Sequence, residues 1–217
     1  PTVVSTLDDQ PSSQAYFLES ANAVHCFLEE DAQDQDGNVT QPMRRAINKI
    51  GHALHDQVPA FDEFSRDSRL ATLCAALDVR APLLVQSMYI FKQPHIGGEV
   101  TWHQDSTFLY TDPPSVIGFW FALEAADVNN GCLWTLPGQH TAGLRNRLVR
   151  RGDAMAMEAQ AGGEWDTEGG VPIEVPAGTL VVLHGALPHW SAPNRTDRSR
   201  HAYALHVVDG ECTYSEE

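Results

Sequence analysis

The residues best suited to chemistry lie in the segment 101–105 (TWHQD). His103 and Asp105 are separated by one residue, and side chains two apart on an extended chain point to the same side. An imidazole and a carboxylate on one side of a strand can hold a metal ion between them. A facial iron(II) site adds a second histidine and leaves the opposite side of the metal open. The spacing therefore predicts part of a metal site and requires a histidine from elsewhere in the chain.

Two histidines are candidates for the missing ligand. His184 ends an apolar run, and His189 follows five residues later. Each has an arginine eleven residues downstream, Arg195 for His184 and Arg200 for His189, so spacing does not choose between them. Context does, because Arg195 lies in the turn-forming segment 193–197 (PNRTD), whereas Arg200 opens a run typical of a strand.

Arg200 has the surroundings of a ligand anchor. It shares one face of its extended run with Ala202 and Ala204, and small residues beside an inward guanidinium leave room for a ligand. The planar fork of donors suits bidentate capture of a dicarboxylate. We therefore predict His189 as the third metal ligand and Arg200 as the anchor. The plainer interpretations, a surface charge for Arg200 and a strand end for His184, stay open at this point.

The first third of the chain indicates helices. Apolar residues recur every three and four positions over 47–56 and 59–78, which is typical of helices with one buried face. Lys49, His52 and His55 fall on the first of these predicted helices. His52 and His55 are three apart without a carboxylate at helical spacing, so a partly buried polar face is favoured over metal binding.

From residue 82 onwards the sequence predicts strands. Short runs rich in Val, Ile, Phe, Tyr and Trp are separated by Gly, Pro and Asn. These runs are 83–91, 100–103, 116–123, 132–136, 173–175, 179–184 and 200–208, and a short strand is also predicted earlier, at 24–28.

Helices followed by about seven strands predict a mainly β fold, a double-sheet jelly roll with an N-terminal helical buttress. We expect a single domain over 1–217, with a helical part at about 1–81 and a jelly-roll core at about 82–209. The stretch 143–170 is rich in small and polar residues and predicts a long loop, a candidate lid beside the barrel mouth.

Charge and cysteine content narrow the possible partners. The chain has 14 Lys and Arg against 29 Asp and Glu, a net charge of −15, so neither a nucleic acid nor an acidic membrane surface is an expected partner. The four cysteines have no C-x-x-C spacing and predict neither a disulfide framework nor a zinc knuckle. No signal-peptide pattern opens the chain, and we expect a cytoplasmic or other soluble, reducing compartment. The sequence does not indicate an oligomeric state.

Several motifs in the same order resemble the phytanoyl-CoA dioxygenase family, and within it the phytanoyl-CoA dioxygenase domain-containing proteins. The similarity runs from about Ser5 to the last residues. The motifs are 48–55 (NKIGHALH), 85–94 (VQSMYIFKQP), 97–100 (GGEV) leading into 103–105 (HQD), 131–134 (GCLW), 137–140 (PGQH) and 197–200 (DRSR).

The resemblance implies a non-haem Fe(II)- and 2-oxoglutarate-dependent dioxygenase on a double-stranded β-helix. It implies iron ligands at His103, Asp105 and His189, with the far carboxylate of 2-oxoglutarate at Arg200 and Ser191. In such enzymes 2-oxoglutarate takes two open metal positions and dioxygen (O2) takes the third, and the keto acid is decarboxylated to succinate while a substrate is oxidised.

The resemblance also places Lys49, Met88 and Trp120 at the cosubstrate pocket. From the residues alone, Lys49 is as readily a solvated helix residue, and Met88 and Trp120 are plain core. Because halogenating relatives lack the metal-binding carboxylate, the presence of Asp105 favours hydroxylation or another oxidation over halogenation.

The substrate is the least determined part of the prediction. We expect a small or medium-sized organic molecule, since the phosphates of a coenzyme A ester suit a strongly acidic protein poorly, the basic cluster at 145–151 excepted. Phe108, Tyr110 and Phe119 are candidate pocket walls, and core packing explains them equally well.

Two other functions are consistent with the sequence. One is a non-catalytic jelly-roll protein that binds the metal or 2-oxoglutarate as a sensor. The other is a cupin-type metal-dependent isomerase or oxygenase that does not use 2-oxoglutarate and has no need of Arg200.

Overall fold

The fold was described from a computed structural model, which covers residues 2–3, 11–152 and 154–214. The α-helices in this part of the chain are α1 (Pro11–Glu19), α2 (Met43–Ala46), α3 (Leu54–Gln57), α4 (Pro59–Ser65) and α5 (Ser68–Ala76). The strands there are β1 (Thr2–Val3), β2 (Val24–Leu28), β3 (Ile47–His52), β4 (Pro82–Ile90), β5 (Val100–His103), β6 (Thr111–Asp112), β7 (Ile117–Ala122), β8 (Leu133–Thr135), β9 (Asn146–Arg151), β10 (Ala154–Ala159), β11 (Val171–Ile173), β12 (Leu180–His184), β13 (His189–Ser191), β14 (Ala202–Asp209) and β15 (Thr213–Tyr214).

Two sheets form the barrel. The major sheet has the strand order β1-β2-β3-β4-β14-β7-β12, and the minor sheet has the order β11-β8-β13-β5. Along the chain, β4, β7, β12 and β14 of the major sheet are interleaved with β5, β8, β11 and β13 of the minor sheet, where β8 and β11 are the one consecutive pair from the same sheet among these eight. All neighbours among these eight strands pair antiparallel. Strands exchanged in this way between two sheets make a jelly roll. The predicted mainly β jelly-roll fold is confirmed.

The prediction for the N-terminal part needs a correction. Residues 47–52 form strand β3, which pairs with β2 on one side and β4 on the other, so Lys49 and His52 lie on a strand and not on a helix. Over six residues, a three-and-four spacing of apolar side chains does not separate a helix from a strand that is covered on one face. Pairing with β2 and β4 decides the conformation. The part before residue 82 therefore extends the major sheet as well as providing helices.

The second helical prediction is confirmed in two pieces, α4 and α5. Pro59 starts α4, where its missing N–H leaves no hydrogen bond unmade, and Asp67 caps α5 by accepting a hydrogen bond from the backbone N–H of Arg69 (2.8 Å). Together with α3 these helices cover the outer face of the major sheet. The apolar side chains packed there include Leu54, Cys74, Val79, Phe119, Tyr203, Leu205 and Val207.

Alternation along β14 gives the two faces of the major sheet different roles. Tyr203 and Leu205 point outward to the helices, whereas Ala202 and Ala204 belong to the inner cluster with Trp120. All of β14 is buried. The inner face is therefore lined by small residues near its centre, which leaves space between the two sheets.

The long loop predicted at 143–170 contains regular structure. Strands β9 and β10 pair antiparallel over residues 146–151 and 154–159, so much of this stretch is a hairpin. The hairpin pairs with itself and not with the barrel sheets, which explains why its sequence lacks the strong apolar alternation of a core strand. Strand β2 confirms the short strand predicted at 24–28, and the four cysteines are free. None of the helices in the described ranges has the length and apolar character to cross a bilayer.

Candidate active site

His103 and His189 are brought together by strand register. His103 ends β5 and His189 begins β13, and the two residues pair directly across the antiparallel ladder, with ring centroids 4.2 Å apart. Asp105 follows β5 at the start of a short 3-10 turn. One ligand atom from each of the three residues lies within 4.8 Å of the other two. Their chemistry, two imidazoles and one carboxylate, is that of a facial iron(II) site.

Hydrogen bonds fix both imidazoles in the form a metal needs. His103 Nδ1 lies 2.7 Å from the Thr101 carbonyl oxygen, and His189 Nδ1 lies 3.0 Å from the Leu187 carbonyl oxygen. A carbonyl oxygen only accepts, so each Nδ1 carries the proton and donates it. Each Nε2 therefore presents its lone pair, and these two atoms lie 3.8 Å (His103) and 3.6 Å (His189) from Asp105 Oδ1.

The charges of the cluster also suit a metal. Burial by itself raises the pKa of Asp105, but the surrounding histidines outweigh it and hold that pKa well below its usual range. Burial, with a smaller contribution from His189, lowers the pKa of His103 to about 4. At neutral pH Asp105 is thus a carboxylate and His103 a neutral imidazole, the protonation states in which these groups bind a cation.

His206 contacts the cluster and was not predicted from sequence. Its Nε2 lies 3.4 Å from Asp105 Oδ2, so one carboxylate oxygen faces the two histidines and the other faces His206. Gly118, opposite His206 in the ladder, leaves the space for this contact, because a Cβ there would lie 3.0 Å from Asp105 Oδ2. Its spacing could have indicated this position, because His206 is six residues after Arg200 and an even separation along an extended chain puts both side chains on the same face.

Arg200 is buried just before strand β14 and leaves one donor nitrogen, Nη1, unused by the described residues. Its side chain is 1% exposed, its Nε donates to the Gly131 carbonyl oxygen (3.0 Å), and its guanidinium carbon lies 5.2 Å from the Trp120 ring centroid. Burial lowers the pKa of Arg200 to about 10, so the group remains charged at neutral pH. Arg200 Nη1 and Ser191 Oγ are both buried and have no hydrogen-bond partner among the described residues. Unpaired buried donors around a cation fit a carboxylate ligand.

Lys92 is a second buried cation near this anchor, and sequence gave no indication of it. Its Nζ donates to the carbonyl oxygens of Gly98 (2.6 Å) and Ser191 (3.4 Å), which joins the segment before β5 to strand β13. Burial, and then the charge of Arg200, lower the pKa of Lys92 to about 7. Gly131 makes room for its stem, because a Cβ there would lie 2.8 Å from Lys92 Cε.

Comparison with known proteins identifies the family. The model of the phytanoyl-CoA dioxygenase (PhyH) family matches residues 1–202. The chain belongs to the phytanoyl-CoA dioxygenase family. It is 44% identical over 210 residues to "Phytanoyl-CoA dioxygenase" of Arabidopsis thaliana, covering 97% of this chain and 74% of that protein. It is also 44% identical over 209 residues to "Phytanoyl-CoA dioxygenase domain-containing protein 1" of Rattus norvegicus, covering 93% of this chain and 72% of that protein.

A solved structure supports the fold independently. The apo form of EctD from S. alaskensis superposes with a TM-score of 0.65 at 19% sequence identity, covering 99% of this chain and 83% of that one. As a member of the phytanoyl-CoA dioxygenase family, the protein is a non-haem iron(II)- and 2-oxoglutarate-dependent dioxygenase, and its His-Asp-His cluster fits the metal site of such an enzyme.

The other residues predicted at the cosubstrate pocket of this dioxygenase lie on the major sheet. Met88 and Trp120 both pair with Ala204, so the three side chains form a row across the inner face. Lys49 lies on β3, one strand further from the centre, and pairs with Ile90. Its Nζ is 5.2 Å from the Phe27 ring centroid, and burial lowers the pKa of Lys49 to about 8.

The three aromatic residues predicted to wall a substrate pocket lie in three different places. The Phe108 ring lies 6.3 Å from the His103 ring, next to the cluster. Tyr110 packs against the guanidinium of Arg147, 4.3 Å from its ring centroid, beside the β9–β10 hairpin. Phe119 is 1% exposed and packs against the helices on the outer face of the sheet. The prediction that Phe119 forms a pocket wall is therefore wrong.

His184, the rival third ligand, lies elsewhere. Its ring is 5.1 Å from that of His140, and it lines a separate cavity of about 430 Å³ that none of the three cluster residues borders. Strand β12 belongs to the major sheet and β13 to the minor sheet, so the turn between them places the two imidazoles on different sheets.

Proposed function

We propose that this dioxygenase hydroxylates a small or medium-sized organic molecule while it converts 2-oxoglutarate to succinate and carbon dioxide. The observation that carries the proposal is a cluster of two imidazoles and one carboxylate, with a buried and partly unpaired guanidinium just before strand β14 of the facing sheet. The first group matches a divalent iron site, and the second matches the far end of a dicarboxylate.

Each residue then has a defined task. His103, Asp105 and His189 would hold iron(II), while Arg200 and Ser191 would receive the far carboxylate of 2-oxoglutarate. When bound, the iron and the keto acid supply the activation of dioxygen, which protein side chains do not perform alone. The protein would orient the cosubstrate between two fixed points, the metal cluster and Arg200.

The inner face of the major sheet provides the remaining walls. Met88 and Trp120 would contact the hydrocarbon part of 2-oxoglutarate across Ala204, whose small side chain keeps the space open. Lys49, as a buried amine at the edge of this face, would add positive potential for the dicarboxylate. Exclusion of water from this space strengthens the attraction between Arg200 and the carboxylate.

We infer that the oxidised substrate is not bound through phosphate groups. The relatives are named for a coenzyme A ester, yet this chain has a net charge of −15, and an acidic surface disfavours polyphosphates and nucleic acids alike. A compact organic molecule is the better match.

The sensor function is not favoured. A protein that only binds 2-oxoglutarate has no need for a full set of metal ligands with fixed tautomers, and this chain has all three together. Succinate formation separates the two functions. The full chain with iron(II), 2-oxoglutarate and air should form succinate slowly without substrate, and faster with an accepted molecule from a panel of small acids, amides and coenzyme A esters.

Two variants control this assay. Asp105→Ala should abolish succinate formation, whereas His184→Ala, which alters an imidazole outside the cluster, should retain it. A folded, iron-loaded wild-type protein that forms no succinate with any member of the panel would favour the sensor and contradict the proposal.

A further inference from the structure

A cavity of about 240 Å³ lies between α1, the β4 side of the major sheet and the β9–β10 hairpin. Its lining is mostly apolar and includes Phe17, Leu18, Val85, Phe108, Leu148 and Met155. The polar residues in the lining are His52, Gln86, Arg150 and Tyr214. Ligand pockets commonly combine apolar walls with a few polar groups in this way.

Two lining residues connect this cavity to the candidate metal centre, although none of the three candidate ligands borders it. Gln86 pairs directly with His206 in the ladder between β4 and β14, and His206 contacts Asp105 at 3.4 Å. On another wall, the Phe108 ring is 6.3 Å from the ring of His103. The cavity is therefore a neighbour of the cluster, with Phe108 beside one of its imidazoles.

His52 offers this cavity a hydrogen-bond acceptor. The Ser20 hydroxyl donates to the Phe17 carbonyl oxygen, so its oxygen accepts from His52 Nδ1–H, 2.7 Å away. With the proton on Nδ1, the Nε2 atom carries a lone pair. That atom is buried and has no hydrogen-bond partner in the described part of the chain, although His52 is only 3% exposed.

The imidazole of His52 remains neutral. Burial, together with the nearby charge of Lys49, lowers the pKa of His52 to about 2. A neutral ring with an occupied Nδ1 can accept one hydrogen bond at Nε2 and cannot donate one there. A buried acceptor without a partner is unfavourable, and a ligand that supplies the donor removes that cost.

We propose that this cavity is the part of the dioxygenase's substrate site that takes a compact, uncharged group, whose hydroxyl or amide N–H donates to His52 Nε2. The apolar body of the molecule fills the space between α1 and the hairpin. The volume lies below the roughly 300–1,000 Å³ usual for ligand pockets, so a small molecule, or one end of a longer one, is enclosed. The assignment of turnover to this molecule rests on the proposed function, while its binding does not.

Two probes of nearly equal size test the donor requirement. Cyclohexanol has a hydroxyl donor, and cyclohexanone has only an acceptor. Their dissociation constants are measured by ligand-observed NMR on the full chain, loaded without air with iron(II) and 2-oxoglutarate. The wild type should bind cyclohexanol roughly 2- to 12-fold more tightly, the range expected for one net hydrogen bond.

Four variants locate the effect. His52→Phe should bind the two probes equally, and Ser20→Ala, which frees Nδ1 and lets the proton move to Nε2, should reduce the preference without a change in volume. Leu148→Trp should weaken both probes by filling the cavity. His25→Phe is the matched control, because it makes the same substitution on the neighbouring strand β2, outside the cavity lining, and should keep the wild-type preference.

The outcomes distinguish this proposal from the proposed function. A wild type without preference, a full preference in His52→Phe, or unchanged binding in Leu148→Trp overturns the assignment of the cavity. If His52→Phe does not fold, a full preference in Ser20→Ala has the same meaning. Succinate formed without substrate by the same preparation tests the reaction separately, so probe binding without succinate refutes only the reaction, and succinate without probe preference refutes only the cavity.

Discussion

Arg200→Met is the most informative perturbation of the cosubstrate site. The guanidinium is 1% exposed, one of its nitrogens donates to Gly131, and Nη1 has no partner within the described residues. Methionine keeps much of the volume and removes the charge and the donors. We expect 2-oxoglutarate binding to weaken strongly, while iron(II) binding, which depends on the triad, stays the same.

The magnitude follows from the burial of the anchor. Two hydrogen bonds to a carboxylate are worth about 1.5–3 kcal/mol each, and removal of one partner of a buried charge pair costs about 2–5 kcal/mol. Solvent screening is weak at a fully buried group, so we take about 3–5 kcal/mol. At about 1.4 kcal/mol per tenfold, the dissociation constant for 2-oxoglutarate should rise by roughly two to three and a half orders of magnitude.

The assay is an anaerobic titration of the iron-loaded protein, followed by the visible charge-transfer absorption of the iron(II)–keto acid chelate. 2-Oxovalerate, which has five carbons but no far carboxylate, is the matched ligand. The wild type should strongly prefer 2-oxoglutarate, and Arg200→Met should bind the two acids almost equally. The preference of Arg200→Lys for 2-oxoglutarate should lie between those of the wild type and Arg200→Met, because a lysine ammonium does not reproduce the planar, forked donors of a guanidinium.

Two results would refute this reasoning. One is a folded Arg200→Met protein that keeps the wild-type preference for 2-oxoglutarate. The other is equal weakening for 2-oxovalerate, which would mean that Arg200 supports the shape of the site and does not bind the carboxylate. The cupin-type function without 2-oxoglutarate predicts no effect at all.

Further predictions concern the metal ligands and the buried lysine. His189→Ala should abolish tight iron(II) binding and His184→Ala should not, as measured by calorimetry; equal effects would contradict the choice of His189. His206→Phe should weaken iron(II) binding by about 10- to 100-fold, the usual effect of losing a group that holds a ligand, and unchanged affinity would show that the 3.4 Å contact is incidental. Because the folded-state pKa of Lys92 is about 7 and the unfolded value about 10.4, the folded state binds fewer protons between these pH values, and stability should rise with pH there by up to about 1.4 kcal/mol per unit. Urea unfolding at pH 7 and pH 9 should show this gain relative to Lys92→Met, and a constant difference between the two proteins would exclude it.

The metal cluster could be predicted from sequence because its signals are local. The one-residue spacing placed His103 and Asp105 together. His189 was chosen because Arg200 follows it by eleven residues, and Ala202 and Ala204 indicated that Arg200 faces inward. The family motifs then gave the reaction class. The cluster in the structure contains the three residues predicted for it.

The features that were missed depend on contacts between distant segments. Residues 47–52 have a helical spacing, yet their backbone hydrogen bonds go to β2 and β4, so tertiary pairing overrides the local pattern. Lys92 can be buried because carbonyl oxygens of Gly98 and Ser191 accept hydrogen bonds from its Nζ. His206 was within reach of sequence reasoning, since the same alternation that picked out Arg200 extends to it.

The direct pairing of His103 with His189 makes metal affinity a measure of strand alignment. A slip of one residue between β5 and β13 would turn one imidazole to the opposite side of the sheet and leave the ion with two ligands. The intervening segments are free to change in length provided that this alignment persists. Iron(II) can therefore serve as a reporter of correct assembly, because a chain that folds with shifted strands retains its secondary structure but loses the ion.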